Sequence, residues 1–129
     1  MSEIVQKLRE QSDMLCLEGA DPKNIEAAES RLSVKFAEEY REYTREFGAI
    51  NIDGRQITGV NPAPDLDVVS ITEFAREGTP EADSSWYVIC DTHIDALLYW
   101  QDHDGKVYRT FPGESPVKVA DSLVEFLQI

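Results

Sequence analysis

The sequence predicts an α+β fold: N-terminal helices, a mostly antiparallel central sheet of about five or six strands, and a C-terminal helix. Three observations carry this. Apolar residues recur at helical spacing up to Phe47, short β-branched and aromatic runs separated by Asp-Gly turns follow, and a capping-box pattern opens the last amphipathic stretch.

Ile4, Val5, Leu8, Leu15 and Leu17 read as one helical stripe broken near Gly19. Asp21-Pro22 then has the form of an N-cap followed by proline at the first helical position, so a second helix starts there and carries Ile25, Ala28, Glu29 and Leu32. A third helix is expected from about Ala37 to Phe47, with Phe36, Tyr40, Tyr43 and Phe47 on one face as core aromatics and Gly48 as the terminating C′ glycine. The period then becomes extended. Ile50, Ile52, Ile57 and Val60 flank Asp53-Gly54, a two-residue hairpin signal. Prolines at 62 and 64 make residues 61–65 a surface connection. Ser70 with Glu73 has capping-box spacing for a short helix over 71–77, and residues 78–85 read as loop. Residues 86–90 and 96–100 read as central strands, Asp104-Gly105 as a second hairpin turn, and 106–110 as the following strand. Ser122 with Glu125 opens the closing helix around Leu123, Val124, Phe126 and Leu127.

The 129 residues are the size of one domain with its own core, so 1–129 is read as a single unit. A hydrophobic fraction of 42% and a charged fraction of 29% exclude the composition of a disordered chain. No apolar run reaches the length of a membrane span, and the first residues lack the basic-then-apolar order of a signal peptide, so a cytoplasmic location is expected. Cys16 and Cys90 lie far apart in hydrophobic contexts and are expected to be two buried thiols, with no disulfide framework or CxxC motif.

The net charge of −13 is unevenly spread. Residues 61–104 hold ten carboxylates and one Lys or Arg, and residues 1–60 hold twelve acids against eight bases. That middle third would repel phosphate backbones and anionic membranes, which disfavours nucleic-acid and membrane partners; it reads either as an acidic surface that keeps the protein in solution or as a patch that recruits a basic partner.

Catalytic and metal patterns are weak. Cys90 with His93 is the one nucleophile–base pair close in sequence, but alternation with Val88 turns the thiol toward the core. Asp91, His93, Asp95, Asp102, His103 and Asp104 place two imidazoles and four carboxylates within 14 residues, yet their spacing matches no defined metal site, and Gly105 directly after Asp104 does not fit a calcium loop. No phosphate-binding glycine loop is present in the sequence, and no cofactor is expected.

The run Ile25, Glu29, Leu32, Phe36, Tyr40, Tyr43, Phe47-Gly48 followed by a glycine hairpin, then the strands at 86–90 and 97–100, the Asp104-Gly105 turn and the helix at 121–127, resembles the SUKH superfamily of bacterial immunity proteins and fungal cell-wall regulators. The resemblance extends from Asp21 onward and rests on the order of elements. Relatives commonly carry a leucine–proline pair entering the third helix, where this chain has Phe36-Ala37. What the resemblance implies is a non-enzymatic immunity protein that neutralises a toxin domain, a nuclease, by forming a non-covalent complex. An alternative is a regulatory or scaffolding adaptor for an endogenous protein, and a third is an enzyme of unrecognised type. Under the immunity reading Asp65, Asp67, Glu73, Glu77, Glu81 and Asp83 would steer a basic partner, and Leu66 and Trp86 would be the apolar anchors.

Overall fold

The computed structural model describes residues 2–129. Five helices and seven strands follow in the order α1 (Glu3–Arg9), β1 (Leu15–Glu18), α2 (Pro22–Leu32), α3 (Glu38–Glu46), β2 (Phe47–Ile52), β3 (Arg55–Ile57), α4 (Val68–Gly78), β4 (Tyr87–Asp91), β5 (Leu98–Gln101), β6 (Val107–Thr110), β7 (Val117–Ala120) and α5 (Leu123–Leu127). The fold is α+β, with helices at both ends as the sequence predicts. The strands divide into two antiparallel sheets, β1-β2-β3 and β4-β5-β6-β7. The sheets adjoin at Thr58, whose N–H donates to the Ile89 carbonyl at 2.9 Å and whose hydroxyl donates to the Val88 carbonyl at 2.8 Å.

The first apolar stripe splits in two. Ile4, Val5 and Leu8 form the buried face of α1, which ends at Arg9, whereas Leu15 and Leu17 lie on β1 with their side chains exposed. The residues at 11, 12 and 13 that would extend the helical stripe are Gln, Ser and Asp, and nothing apolar drives another turn into the core. Cys16, between the two leucines, is therefore exposed, while Cys90 is buried as expected.

Asp21 caps α2 through its carboxylate, which accepts the Lys23 N–H at 2.9 Å, and Pro22 follows at the first helical position. α3 passes straight into β2 without a left-handed cap: Phe47 is already extended, and Gly48 is a strand residue. Glycine is needed at 48 because a Cβ there would lie 2.3 Å from the Glu18 carbonyl oxygen of the paired strand. The β2–β3 hairpin turns on Asp53 and Gly54 with φ of 51° and 80°, both positive as a type I′ turn requires. β7 had no sequence counterpart: Val117, Lys118 and Val119 are all exposed, and the pairing with β6 alone orders them.

The aromatic ladder is core. Tyr40, Tyr43 and Tyr87 are fully buried with Phe36 packed edge-on, at ring separations of 5.0 Å to Tyr40 and 4.8 Å to Tyr87. Each hydroxyl is satisfied. Tyr40 pairs with the Thr58 hydroxyl, Tyr43 donates to the Thr58 carbonyl, and Tyr87 donates to the Gln101 side chain while accepting the Ala37 N–H. These bonds join α3 to both sheets, so burial does not leave polar atoms stranded.

α4 is the element that positions the surface described next. Its cap is Asp67, three residues earlier than the Ser70–Glu73 spacing suggests: the Asp67 carboxylate accepts from the Val69 and Ser70 N–H groups and from the Ser70 hydroxyl, which thereby becomes a partner of the cap. Val68, Val69, Thr72 and Ala75 are buried. Thr72 accepts the Val88 N–H at 3.0 Å, and Ala75 joins Val88, Leu98 and Trp100 in a small second core, so α4 is fastened across β4.

Candidate partner-binding site

Because α4 buries the stripe through Thr72 and Ala75, residue 74 falls outside it, and residue 74 is phenylalanine. Phe74 is 79% exposed, and it overhangs a groove of about 490 Å³ between α4 and the β4–β5 connection. Ile71, Phe74, Ala75 and Leu98 give the groove apolar lining; Asp65, Ser70, Asp91 and His93 supply polar groups; among the described residues neither Lys nor Arg lines it.

The far wall is the loop over residues 92–97. His93, Asp95 and Ala96 have φ of 58°, 54° and 58°, a left-handed conformation that costs a non-glycine residue about 1–2 kcal/mol. Local bonds hold it. The Asp91 carboxylate accepts the His93 N–H at 2.9 Å, and the Thr92 hydroxyl accepts the Ile94 N–H at 3.2 Å and donates to the Leu97 carbonyl at 2.8 Å. The consequence is that Ile94, 64% exposed, projects from the loop instead of packing beneath it. Two large apolar side chains thus stand in water on elements flanking one groove.

The eight residues singled out from the sequence fall into different environments. Asp65 lines the groove, and Glu77 is exposed beside the lining residue Gly78. Asp67 is occupied as the α4 cap. Glu73 forms a forked ion pair with Arg31 at 3.1 and 3.2 Å, tying α4 to α2. Asp83 accepts from the Ser85 N–H and hydroxyl, which holds its carboxyl below the usual range. Glu81 is half-buried, and its Oε1 has no hydrogen-bond partner among the described residues. Trp86 is half-buried and stacks on Tyr108 with ring centroids 4.1 Å apart. Leu66 is half-buried on another face, beside Leu15, Leu17 and Ile50. Phe74 and Ile94 were not singled out, although each carried a signal: Phe74 is the apolar residue out of phase with its helix, and Ile94 stands alone between His93 and Asp95.

The chemistry weighed from the sequence finds these surroundings. Cys90 is 3% exposed, and burial pushes its thiol up to about 11, with Arg55 acting in the opposite direction, so it stays protonated where a nucleophile must ionise. The His93 ring approaches Asp91 at 3.7 Å and the His103 ring approaches Asp104 at 3.4 Å, both in exposed positions. Among the described residues no group of three or more His, Cys, Asp or Glu side chains is arranged to hold a metal ion. Among the same residues no helix is long and apolar enough to cross a membrane.

A family model described as SUKH_5, SMI1-KNR4 cell-wall, matches residues 1–128. No curated protein matches the chain.

Proposed function

The chain belongs to the SUKH (SMI1-KNR4) family, and on that premise we propose that it is an immunity protein that neutralises a toxin domain by binding it without covalent chemistry, the toxin being a nuclease. The observation that carries this reading is the groove beneath Phe74: an apolar floor, two exposed apolar side chains nearby and carboxylates in its lining. A nuclease presents a basic surface to phosphate, and a carboxylate-lined groove is complementary to such a surface. The charge distribution supports the same partner. Of the 61–104 segment's Lys and Arg, the sole member, Arg76, donates to the Leu32 and Ser84 carbonyls, which engages its guanidinium within the fold. Long-range attraction would then speed encounter in a salt-dependent way, and the apolar contacts would set residence time.

The test is co-expression with a toxin domain encoded next to this protein. Rescue of growth, and recovery of a one-to-one complex that weakens as salt is raised, is the expected result. Failure to rescue against every adjacent toxin, together with recovery of an endogenous cell-wall or regulatory protein, would replace this reading with the adaptor one, which the family's cell-wall description favours. The eight sequence-derived carboxylates and anchors separate by rate. Neutralising Asp65 and Glu77 should slow association several-fold and leave dissociation nearly unchanged, whereas Asp67 and Glu73 should act through the stability of α4.

A further inference from the structure

Resting on the reading of the chain as a protein-binding immunity protein, we propose that the groove between α4 and the 92–97 loop is the anchoring site, and that it seats one large aliphatic or aromatic side chain from a lysine- or arginine-rich segment of the partner. The size fits: about 490 Å³ falls within the roughly 300–1,000 Å³ of sites that bury a small ligand, enough for one large side chain and part of its backbone. The floor formed by Ile71, Ala75 and Leu98 offers apolar contact and no hydrogen-bond donor, so the buried portion of the occupant is apolar.

The rim defines the flanks of the occupant. Asp65 and Asp91 line the groove, Glu77 and Asp95 are the chain neighbours of lining residues Gly78 and Ala96, and no Lys or Arg joins them. The C-terminal turn of α4 opens on the same rim at Gly78 and Thr79, and the carbonyl end of a helix adds partial negative charge. Cations on either side of the anchor are therefore favoured, and an acidic partner is opposed.

The competing apolar surface is the face of β1, where Leu15, Leu17 and Leu66 are exposed or half-buried. Its hollow is about 110 Å³ and is lined by Leu15, Cys16, Leu17, Ala49, Ile50, Asn51, Gln56 and Leu66, without a carboxylate. It lacks both the room and the charge for the same occupant. The held left-handed backbone of His93 and Ala96 gives the groove a second wall whose shape does not depend on the partner, which lowers the ordering cost of binding.

The experiment titrates the intact, isotope-labelled protein with three acetylated heptapeptides and follows backbone amide shifts. One has leucine at its centre between lysine pairs, the second has serine in place of leucine, and the third has glutamates in place of the lysines. The expected result is saturable shifts clustered over residues 71–78 and 91–98 with the first peptide, at least about tenfold weaker binding of the second, and none of the third. Phe74→Ser should weaken the first peptide about tenfold while leaving the rest of the spectrum in place. Equal binding of the leucine and serine peptides, shifts centred on β1, or no binding at millimolar peptide overturns the proposal. The two readings fail separately. Peptide binding without toxin rescue removes the toxin and keeps the groove, and a toxin complex indifferent to Phe74→Ser removes the groove and keeps the toxin.

Discussion

Replacing Glu39 by alanine should destabilise the protein by about 3 kcal/mol through the closing helix. Glu39 lies on α3, yet its carboxylate accepts the Leu123 N–H at 2.7 Å, the Val124 N–H at 3.2 Å and the Gln101 side-chain amide at 3.1 Å. It therefore caps α5 from 84 residues away and ties that helix to both α3 and β5. Hydrogen bonds to a charged group contribute about 1.5–3 kcal/mol each, so three amount to about 5–9 kcal/mol gross. Burial of the carboxylate removes several kcal/mol of that. α5 has five residues and retains its own cap, the Ser122 hydroxyl accepting the Glu125 N–H at 3.0 Å, so the helix loosens without being lost. A net of about 3 kcal/mol remains, which corresponds to a fall in Tm of roughly 12 °C at about 4 °C per kcal/mol. Urea unfolding at pH 7 and 25 °C measures it directly. The pH dependence gives a second, independent reading. Burial raises the Glu39 carboxyl above its ordinary 4.5, against the pull of the Leu123, Val124 and Gln101 bonds. The ionised form is then less favoured folded than unfolded, so the added stability that goes with the protonated carboxyl is fully present below the unfolded value and is lost as pH rises through the folded one, while the cap hydrogen bonds remain at pH 7. Glu39→Gln should flatten that fall in stability above pH 4.5. A cost under 1 kcal/mol for alanine at pH 7 would refute the account of Glu39 as the cap that closes the fold.

Three further outcomes follow from the geometry. Phe74→Ser should leave stability within about 0.5 kcal/mol of the parent, because the ring is 79% exposed, and equilibrium urea unfolding checks this before any binding experiment is interpreted. Ala96→Gly should raise stability by about 0.5–1 kcal/mol, since relief of the left-handed backbone exceeds the entropy lost by glycine, whereas Ala27→Gly on the exposed side of α2 should lower it by about 1 kcal/mol; equal destabilisation by both would mean the loop stores no strain. A thiol reagent at pH 8 should label Cys16 rapidly and Cys90 only on unfolding, with a Cys16→Ser variant losing the fast phase, and two fast equivalents would contradict the burial of Cys90.

The parts of the fold legible in the sequence are those where local rules and burial agree. Asp21-Pro22 caps α2, Asp53-Gly54 makes a two-residue turn, and Ser122 caps α5, each within a few residues of chain. Errors arise where a tertiary partner decides. Leu15 and Leu17 extend the α1 stripe in sequence, but the antiparallel edge of β2 takes them as a strand. Val117 and Val119 present no buried face of their own, and β7 exists because β6 supplies its hydrogen bonds. Ser70 looks like a cap, but the helix starts three residues earlier, where Asp67 offers two carboxylate oxygens to the Val69 and Ser70 N–H groups. The Asp104-Gly105 turn is longer than the two-residue form, since Asp102 folds the loop by accepting both the Asp104 and Lys106 N–H groups.

The site follows the same division. Net charge and its concentration in residues 61–104 are readable directly, but which of those carboxylates remain available is a matter of bonding. Asp67 and Asp83 are engaged by partners two and three residues on, a local pattern in which Asp precedes serine; Glu73 is engaged by Arg31 across 42 residues, which only the packing of α4 on α2 brings about. The anchor depends on helix phase. With Asp67 as cap and Val68, Thr72 and Ala75 inward, a phenylalanine at 74 has no place in the core; its ring stands in water at 79% exposure while its neighbour Ala75 is buried. A large exposed ring beside an apolar groove receives no stability in return within this chain. Under the proposed reading the same ring, desolvated against an apolar side chain of a basic segment, would contribute where Asp65, Asp91 and the carbonyl end of α4 draw that segment in.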